Sequence, residues 1–270
     1  MLSILDVSLF AGLGLLAGTL AGLFGIGGGM VIVPGLFYLF QVMALSEASA
    51  MHLAVGSSMG IMIFTAIAST WSHHRRGDVQ WGIVGQILPA IAVGVLTGKG
   101  LAHNLSAAAL EICFGLFLLF VSLKMLLNWL PTPEEPSPPR FGLTALVGIA
   151  VGFKSGVLGI GGGAISVPFL LYSGFSMGQA SGTSSAFTLP IALIGTLLCV
   201  TLTIPGQAIP GTLGTVYWPA VALVAPFTML GAPLGTRLCH VVPAQRLKRL
   251  FALFLLFVGG RLLWGQMPLA

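Results

Sequence analysis

Gly22-Leu-Phe-Gly-Ile-Gly-Gly-Gly-Met-Val-Ile-Val-Pro34 and Gly156-Val-Leu-Gly-Ile-Gly-Gly-Gly-Ala-Ile-Ser-Val-Pro168 are near-copies of one another. Gly25 matches Gly159 and Pro34 matches Pro168, both at an offset of 134 residues, about half the chain. Each copy interrupts an apolar run with a Gly triplet, Gly27 to Gly29 and Gly161 to Gly163. Gly costs about 1 kcal/mol against Ala inside a helix. A triplet therefore opens the helix and leaves peptide N–H and C=O groups unpaired. In hydrocarbon such groups are tolerated only where protein buries them or where they line a cavity. A helix broken at corresponding places in two halves marks a transporter's binding site.

The rest of the composition places that motif in lipid. Hydrophobic residues make up 56% of the chain and charged residues 6%, with a mean hydropathy of +1.04. Soluble domains carry about 25% charged residues. The class is integral membrane protein, with the lipid bilayer as the first partner. The 38 glycines suit close helix packing through small residues. The net charge of +5 is no nucleic-acid signal, because the basic residues sit at the ends of apolar runs and form no basic face. Cys113, Cys199 and Cys239 lie far apart and show neither metal-ligand nor redox spacing, which makes them buried free thiols. No cofactor and no metal site are expected. Asp6 is the only charge near the N-terminus, which reads as the start of the first helix and not as a cleaved signal.

A spanning helix needs about 20 apolar residues. Leu5 to Phe24 qualifies as the long limb of a hairpin. Met30 to Phe40 follows as a limb too short to cross, and Gln41 to Ser49 is a loop with a helix start at Ser46 and Glu47. Full spans are expected over Ala50 to Trp71, Trp81 to Leu101 and Ser106 to Trp129. The loop Ser72 to Gln80 holds His73, His74, Arg75, Arg76 and Asp78. A short loop falls at Lys99, His103 and Asn104. Pro131 to Pro139 is Pro-rich and polar, the solvated linker between halves. The order then repeats: Phe141 to Leu158 and Ala164 to Tyr172 as limbs, then Gln179 to Thr203, Thr215 to Thr236 and Leu247 to Leu263 as spans. Gly56-Ser57-Ser58 has its counterpart in Gly182-Thr183-Ser184, at an offset of 126.

Three spans per half is an odd number, and a hairpin returns to its own side. The two halves are therefore expected to insert with opposite orientation. The positive-inside rule tests this. The loop with Arg75 and Arg76 faces the cytoplasm on this scheme, as do the linker flanked by Lys124 and Arg140 and the segment with Arg237, Arg246, Lys248 and Arg249. Leu202 to Gly214 faces out and holds no Lys or Arg; Lys99 is a minor exception. Both termini face outward. The fold expected is an all-α polytopic membrane protein of two inverted-topology repeats, each a broken-helix hairpin plus three transmembrane helices. Residues 1–130 form the first repeat, 131–140 a cytoplasmic linker and 141–270 the second repeat.

The two Gly stretches, the hydroxyl clusters and Trp71-Ser-His-His-Arg-Arg-Gly-Asp-Val79 resemble the TauE/SafE family of membrane proteins, the sulfite exporters and their relatives. The resemblance covers nearly the whole chain. It implies a transporter with two pseudo-equivalent halves and a central anion site in the bacterial cytoplasmic membrane, moving sulfite, other sulfur oxyanions or small organic sulfonates.

The candidate substrate-binding residues follow from the breaks. Gly25, Gly27, Gly28 and Gly29, with Gly159, Gly161, Gly162 and Gly163, open backbone N–H groups beside a helix N-terminus, which carries about half a positive charge and binds anions. The competing reading is that these glycines only allow close packing; a phosphate loop is excluded, because no Gly-Lys-Ser/Thr follows. Ser57, Ser58, Thr183 and Ser184 either donate to substrate oxygens or bond the preceding turn or a neighbouring helix. Lys154 sits five residues before Gly159, where the first half has Leu20. A charge at membrane depth costs about 3 kcal/mol or more, so it faces a cavity or snorkels to the surface. His52 reads as interfacial, Glu111 as a first-turn residue, and His73 to Arg76 as topology determinants. No catalytic constellation is present, and the chain is not read as an enzyme. A membrane transporter working by alternating access on a small anion is the function expected. A passive anion channel and a non-transporting membrane partner are the other classes, and the partners expected are a small anionic substrate, the bilayer and a second copy of the chain as a homodimer.

Overall fold

The computed structural model describes residues 4–43, 45, 49–127, 141–202, 209–241 and 244–265, with backbone alone for 4–6, 141, 239, 240 and 244–248. Ten helices follow one another: α1 Ile4–Phe24, α2 Gly29–Val42, α3 Ala50–His74, α4 Trp81–Asn104, α5 Ala107–Leu126, α6 Phe141–Leu158, α7 Gly163–Tyr172, α8 Met177–Thr201, α9 Trp218–Val241 and α10 Ala244–Gly265. Two-residue strands, β1 Thr212–Leu213 and β2 Val216–Tyr217, pair antiparallel just before α9. Among the described residues, six helices are long and apolar enough to cross a membrane: α1, α3, α4, α5, α8 and α9. The molecule is an all-α polytopic membrane protein carrying one minimal ribbon.

Both Gly stretches break the chain where the sequence places the breaks. α1 ends at Phe24 and α6 at Leu158. Gly25 (φ 64°) and Gly159 (φ 68°) then take the left-handed conformation that L side chains disfavour by about 1–2 kcal/mol. α2 and α7 start at Gly29 and Gly163, each with a proline at its sixth position, Pro34 and Pro168. At 14 and 10 residues and 1.5 Å each, these limbs reach about 21 and 15 Å and do not span a core of about 30 Å.

The long limbs are gripped by small residues. Gly14, Gly18 and Gly22 of α1 press on Val224, Thr228 and Ala232 of α9, and Gly231 and Gly235 of α9 press back on Leu15 and Thr19. The same arrangement recurs in Gly148, Gly152 and Gly156 of α6 on Ile87, Ile91 and Val95 of α4, with Gly94 and Gly98 answering on Ile149 and Phe153. The four-residue spacing lets backbones approach, the way helices associate in lipid. Contacts climb both helices together, so α1 runs parallel to α9 and α6 parallel to α4. Two other close pairs are antiparallel. In α3 and α8, Met59 packs on Gly195 and Ser69 Oγ meets Ser185 Oγ at 2.9 Å. In α5 and α10, Gly115 packs on Leu263 and Ser122 Oγ donates to the Ala252 carbonyl at 2.7 Å.

Several boundaries differ from the sequence reading. α4 continues through Lys99, His103 and Asn104, and only Leu105 and Ser106 separate it from α5. Lys99 is 4% exposed and its backbone packs against Gly156 of α6, so the charge does not end the helix. Glu111 lies beyond the first turn of α5, whose N-cap is Ser106 accepting from the Ala109 amide at 3.2 Å, and it is buried. Cys199 is buried as expected, whereas Cys113 is exposed on α5. The helix start expected at Ser46 and Glu47, the linker 131–140, the side chains of Cys239, Arg246 and Lys248 and both chain ends lie outside the described residues.

Candidate functional site

The two Gly turns meet at the buried centre, one from each hairpin. A Cβ on Gly29 would stand 2.7 Å from the Gly159 carbonyl oxygen and from the Ile160 Cα. A Cβ on Gly163 would stand 2.6 Å from the Ile26 Cα and 2.7 Å from the Gly25 carbonyl oxygen. Between them, Gly27 faces the Gly161 Cα at 3.2 Å by the same measure. Residues 25–29 and 159–163 are all buried. Only backbone fits at this crossing, which gives the Gly triplets a packing reason as well as a conformational one.

The carbonyls of the turns are taken up by side chains from the other half. Ser58 Oγ, on α3, reaches the carbonyls of Gly159 (2.7 Å) and Val55 (2.8 Å). Its counterpart Ser184 Oγ, on α8, donates to the Gly25 carbonyl at 2.7 Å and accepts from Ser166 Oγ at 2.8 Å. Ser57 Oγ accepts from the Tyr217 amide at 2.9 Å, and Thr183 Oγ1 from the Gln80 amide at 3.0 Å; Tyr217 and Gln80 are the residues just before α9 and α4. The four hydroxyls are fully buried and each reaches across to the opposite hairpin or span entry. All four sequence candidates therefore sit at the turns or the span entries, with their hydrogen bonds directed to backbone.

The amides of the turns are treated differently. Gly25 and Gly159 N–H close the last turns of α1 and α6 on Ala21 and Ser155. Gly162 N–H makes a long 3.4 Å contact to Thr188 Oγ1. The N–H groups of Gly27, Gly28, Gly29, Met30, Gly161, Gly163 and Ala164 have no acceptor among the described residues. They cluster where the N-termini of α2 and α7 converge, and the end dipoles of both helices add positive potential there.

Lys154 enters this region from α6. It is 8% exposed, and its Nζ donates to the Gly161 carbonyl at 2.6 Å and stands 5.5 Å from the centre of the Phe117 ring. The amine turns toward the Gly turn and not toward a membrane surface. One carbonyl engages one of its three N–H donors.

Beside the turns opens a cavity of about 250 Å³. Ile26, Met30, Gly163 and Ala164 close it at the crossing, α7 lines it as far as Leu171, and Lys124, Met177 and Phe251 stand around it.

Some partners were not legible. Ser181 Oγ donates to the Leu23 carbonyl at 2.9 Å, adding a third hydroxyl clamp whose only sequence signal was a Ser-rich start to α8. His73 departs from the basic loop in which it reads as a topology marker. It is fully buried; Nδ1 lies 3.0 Å from Asp78 Oδ2 and Nε2 2.9 Å from the Gly22 carbonyl. His74, Arg75 and Arg76 stay exposed. His52 holds the Leu105 carbonyl through Nε2 at 3.1 Å. Among the described residues no group of His, Cys, Asp and Glu could hold a metal ion.

A helical bundle with broken, non-spanning limbs crossing at its centre has the build of a membrane transporter. The chain belongs to the TauE/SafE family: the family model described as "Sulfite exporter TauE/SafE" matches residues 10–262. A "Probable membrane transporter protein" of Haemophilus influenzae is 32% identical over 91% of this chain and 94% of its own. "Probable membrane transporter protein YunE" of Bacillus subtilis is 25% identical over 93% and 95% of the two chains, and "Probable membrane transporter protein MJ0441" of Methanocaldococcus jannaschii 24% over 91% of each. No solved structure matches the chain. The protein is a multi-pass membrane transporter of this family.

Proposed function

We propose that this transporter moves a small anion, a sulfur oxyanion or organosulfonate, by alternating access around the crossed Gly turns. The observation that carries the reading is the cluster of acceptor-free amides at two converging helix N-termini, with the Lys154 amine on the same turn. Ser184, Ser58 and Lys154 engage the Gly25, Gly159 and Gly161 carbonyls, which leaves the acceptor-free amides as the groups a solute can use. A dianion needs such a surface, and helix ends supply it without the cost of many buried charges. The family model's description supports a sulfur oxyanion.

Residues 1–130 and 141–270 act as inverted repeats in this mechanism, joined by 131–140. Equivalent helices support the inversion: α3 and α8 occupy the same place in each half yet run antiparallel, as do α5 and α10. An axis along the bilayer normal would make each pair parallel. Exposed Arg75 and Arg76 share one end of the molecule with exposed Arg237, because Gly22 contacts both His73 and Ala232. That end faces the cytoplasm by the positive-inside rule, and the bilayer is the bacterial cytoplasmic membrane. Alternating access is a rocking of one half against the other at the turn crossing.

Flux in proteoliposomes tests this. Sulfite, thiosulfate, sulfate and short sulfonates are offered, and saturable flux of at least one is expected, weakened at least tenfold in KM by Lys154→Gln. Absence of flux for all of them, or a KM untouched by Lys154→Gln, rejects the site. Non-saturating flux orders of magnitude faster than a transporter cycle identifies a channel instead.

A further inference from the structure

We infer that the solute carries an apolar body: the cavity beside the Gly crossing fits an amphipathic organic anion of about ten non-hydrogen atoms better than a bare oxyanion. The inference rests on the anion-transport reading and sharpens it.

Size comes first. A 150 Å³ apolar cavity holds benzene, six carbons. By that ratio the 250 Å³ here holds about ten non-hydrogen atoms. Sulfite has four and would leave more than half of the space against hydrocarbon. Wall chemistry comes second. Val167, Pro168 and Leu171 on α7, with Val121, Met125 and Phe251, supply aliphatic and aromatic surface. A hydrated inorganic anion gains nothing from these residues and would lose its water to them.

Charge comes third. Lys124, in the last turn of α5, is the one charged residue on the lining, and it has no hydrogen-bond or ion-pair partner among the described residues. The wall also includes Gly163 and Ala164, whose N–H groups lack acceptors among the described residues. From Gly163 to Leu171 along the cavity wall, α7 rises about 12 Å. An anionic group thus finds a cation and acceptor-free amides on the wall of an otherwise hydrocarbon-lined cavity. The two prolines matter here too. Pro168 cannot donate to the Ala164 carbonyl, so α7 is loosened at the level where the body would lie.

The test is calorimetric titration of the full chain in nanodiscs with sulfite, methane-, propane-, hexane- and decanesulfonate, the matching carboxylates and neutral hexanol. Affinity is expected to rise about fourfold per methylene and to level off at about six carbons for sulfonates and about eight for carboxylates, with hexanol far weaker. Val167→Trp, and independently Leu171→Phe, should lower the ratio of hexane- to methanesulfonate affinity at least fivefold. Lys124→Met should weaken every anion. If sulfite binds and chain length makes no difference, the apolar-body inference falls while anion transport stands. If the chain-length gain is the same in both bulky variants, the gain is partition into the bilayer and the inference also falls. If no anion binds, the parent reading falls with it.

Discussion

Lys154 faces Gly161 where the first half has Leu20, so a single residue removes the electrostatic equivalence of the halves. A lysine at membrane depth costs about 3 kcal/mol or more, and one carbonyl bond recovers only part of that. Lys154→Leu is therefore expected to keep or raise thermal stability while raising the KM for anion at least tenfold; a stability assay beside the flux assay separates the two. The serines behave in the opposite way. Ser58→Ala and Ser184→Ala each strand a buried turn carbonyl, a loss of about 1–3 kcal/mol. Ser184→Ala also leaves the buried Ser166 hydroxyl without its acceptor, so its loss should be the larger of the two, read as shifts in denaturation midpoint; a loss confined to Ser58→Ala argues against the paired geometry. At this scale the sequence was informative about which residues gather and less so about what they bond. Small hydroxyls early in two spans gave the place, but whether Ser58 Oγ meets solute or a carbonyl depends on a chain segment 101 residues away. His73 illustrates the limit: its neighbours His74, Arg75 and Arg76 are solvent-facing, and nothing local shows that one ring turns inward to Asp78 and Gly22.

Among the elements, the hairpins carry the mechanism and the glycines carry the hairpins. Gly29→Ala and Gly163→Ala place a methyl against Ile160 and Ile26 of the facing turn, with no flexible side chain to give way. Either should reduce flux by at least tenfold, whereas Gly142→Ala and Gly12→Ala, which meet open space, should leave flux and expression as they are. Equal tolerance at all four positions would mean that the turns are not in contact during transport. The breaks themselves were legible, because three adjacent glycines in an apolar run leave few alternatives. Helix ends were less so. α2 runs past Gln41 to Val42 and α4 past Lys99 to Asn104, so polarity alone does not stop the helix. The Gly14, Gly18, Gly22 and Gly148, Gly152, Gly156 ladders were visible only as a high Gly content; their partners on α9 and α4 follow from tertiary packing.

For the molecule as a whole, the reciprocal packing of α1 on α9 and α6 on α4 and the antiparallel central pairs fit a body that exchanges its halves about an axis in the membrane plane. Odd span count and loop charge are what lead from the sequence to the proposed inversion, since neither depends on side-chain detail. Impermeant thiol labelling checks it. In a cysteine-free background, Arg76→Cys should label only from the cytoplasmic face and Leu213→Cys, 54% exposed beside the ribbon, only from the opposite face. Labelling of both from one side would remove the inversion.

The central claim is that opened peptide N–H groups at the crossing hold the anion, and glycine-selective ¹⁵N NMR in nanodiscs reads those groups directly. On titration with sulfite, the amide signals of Gly27, Gly28, Gly29, Gly161 and Gly163 are expected to shift together, with one saturation constant that matches the KM for flux and weakens in Lys154→Leu. Saturable transport with these five signals unmoved, while glycines elsewhere respond, would contradict the account.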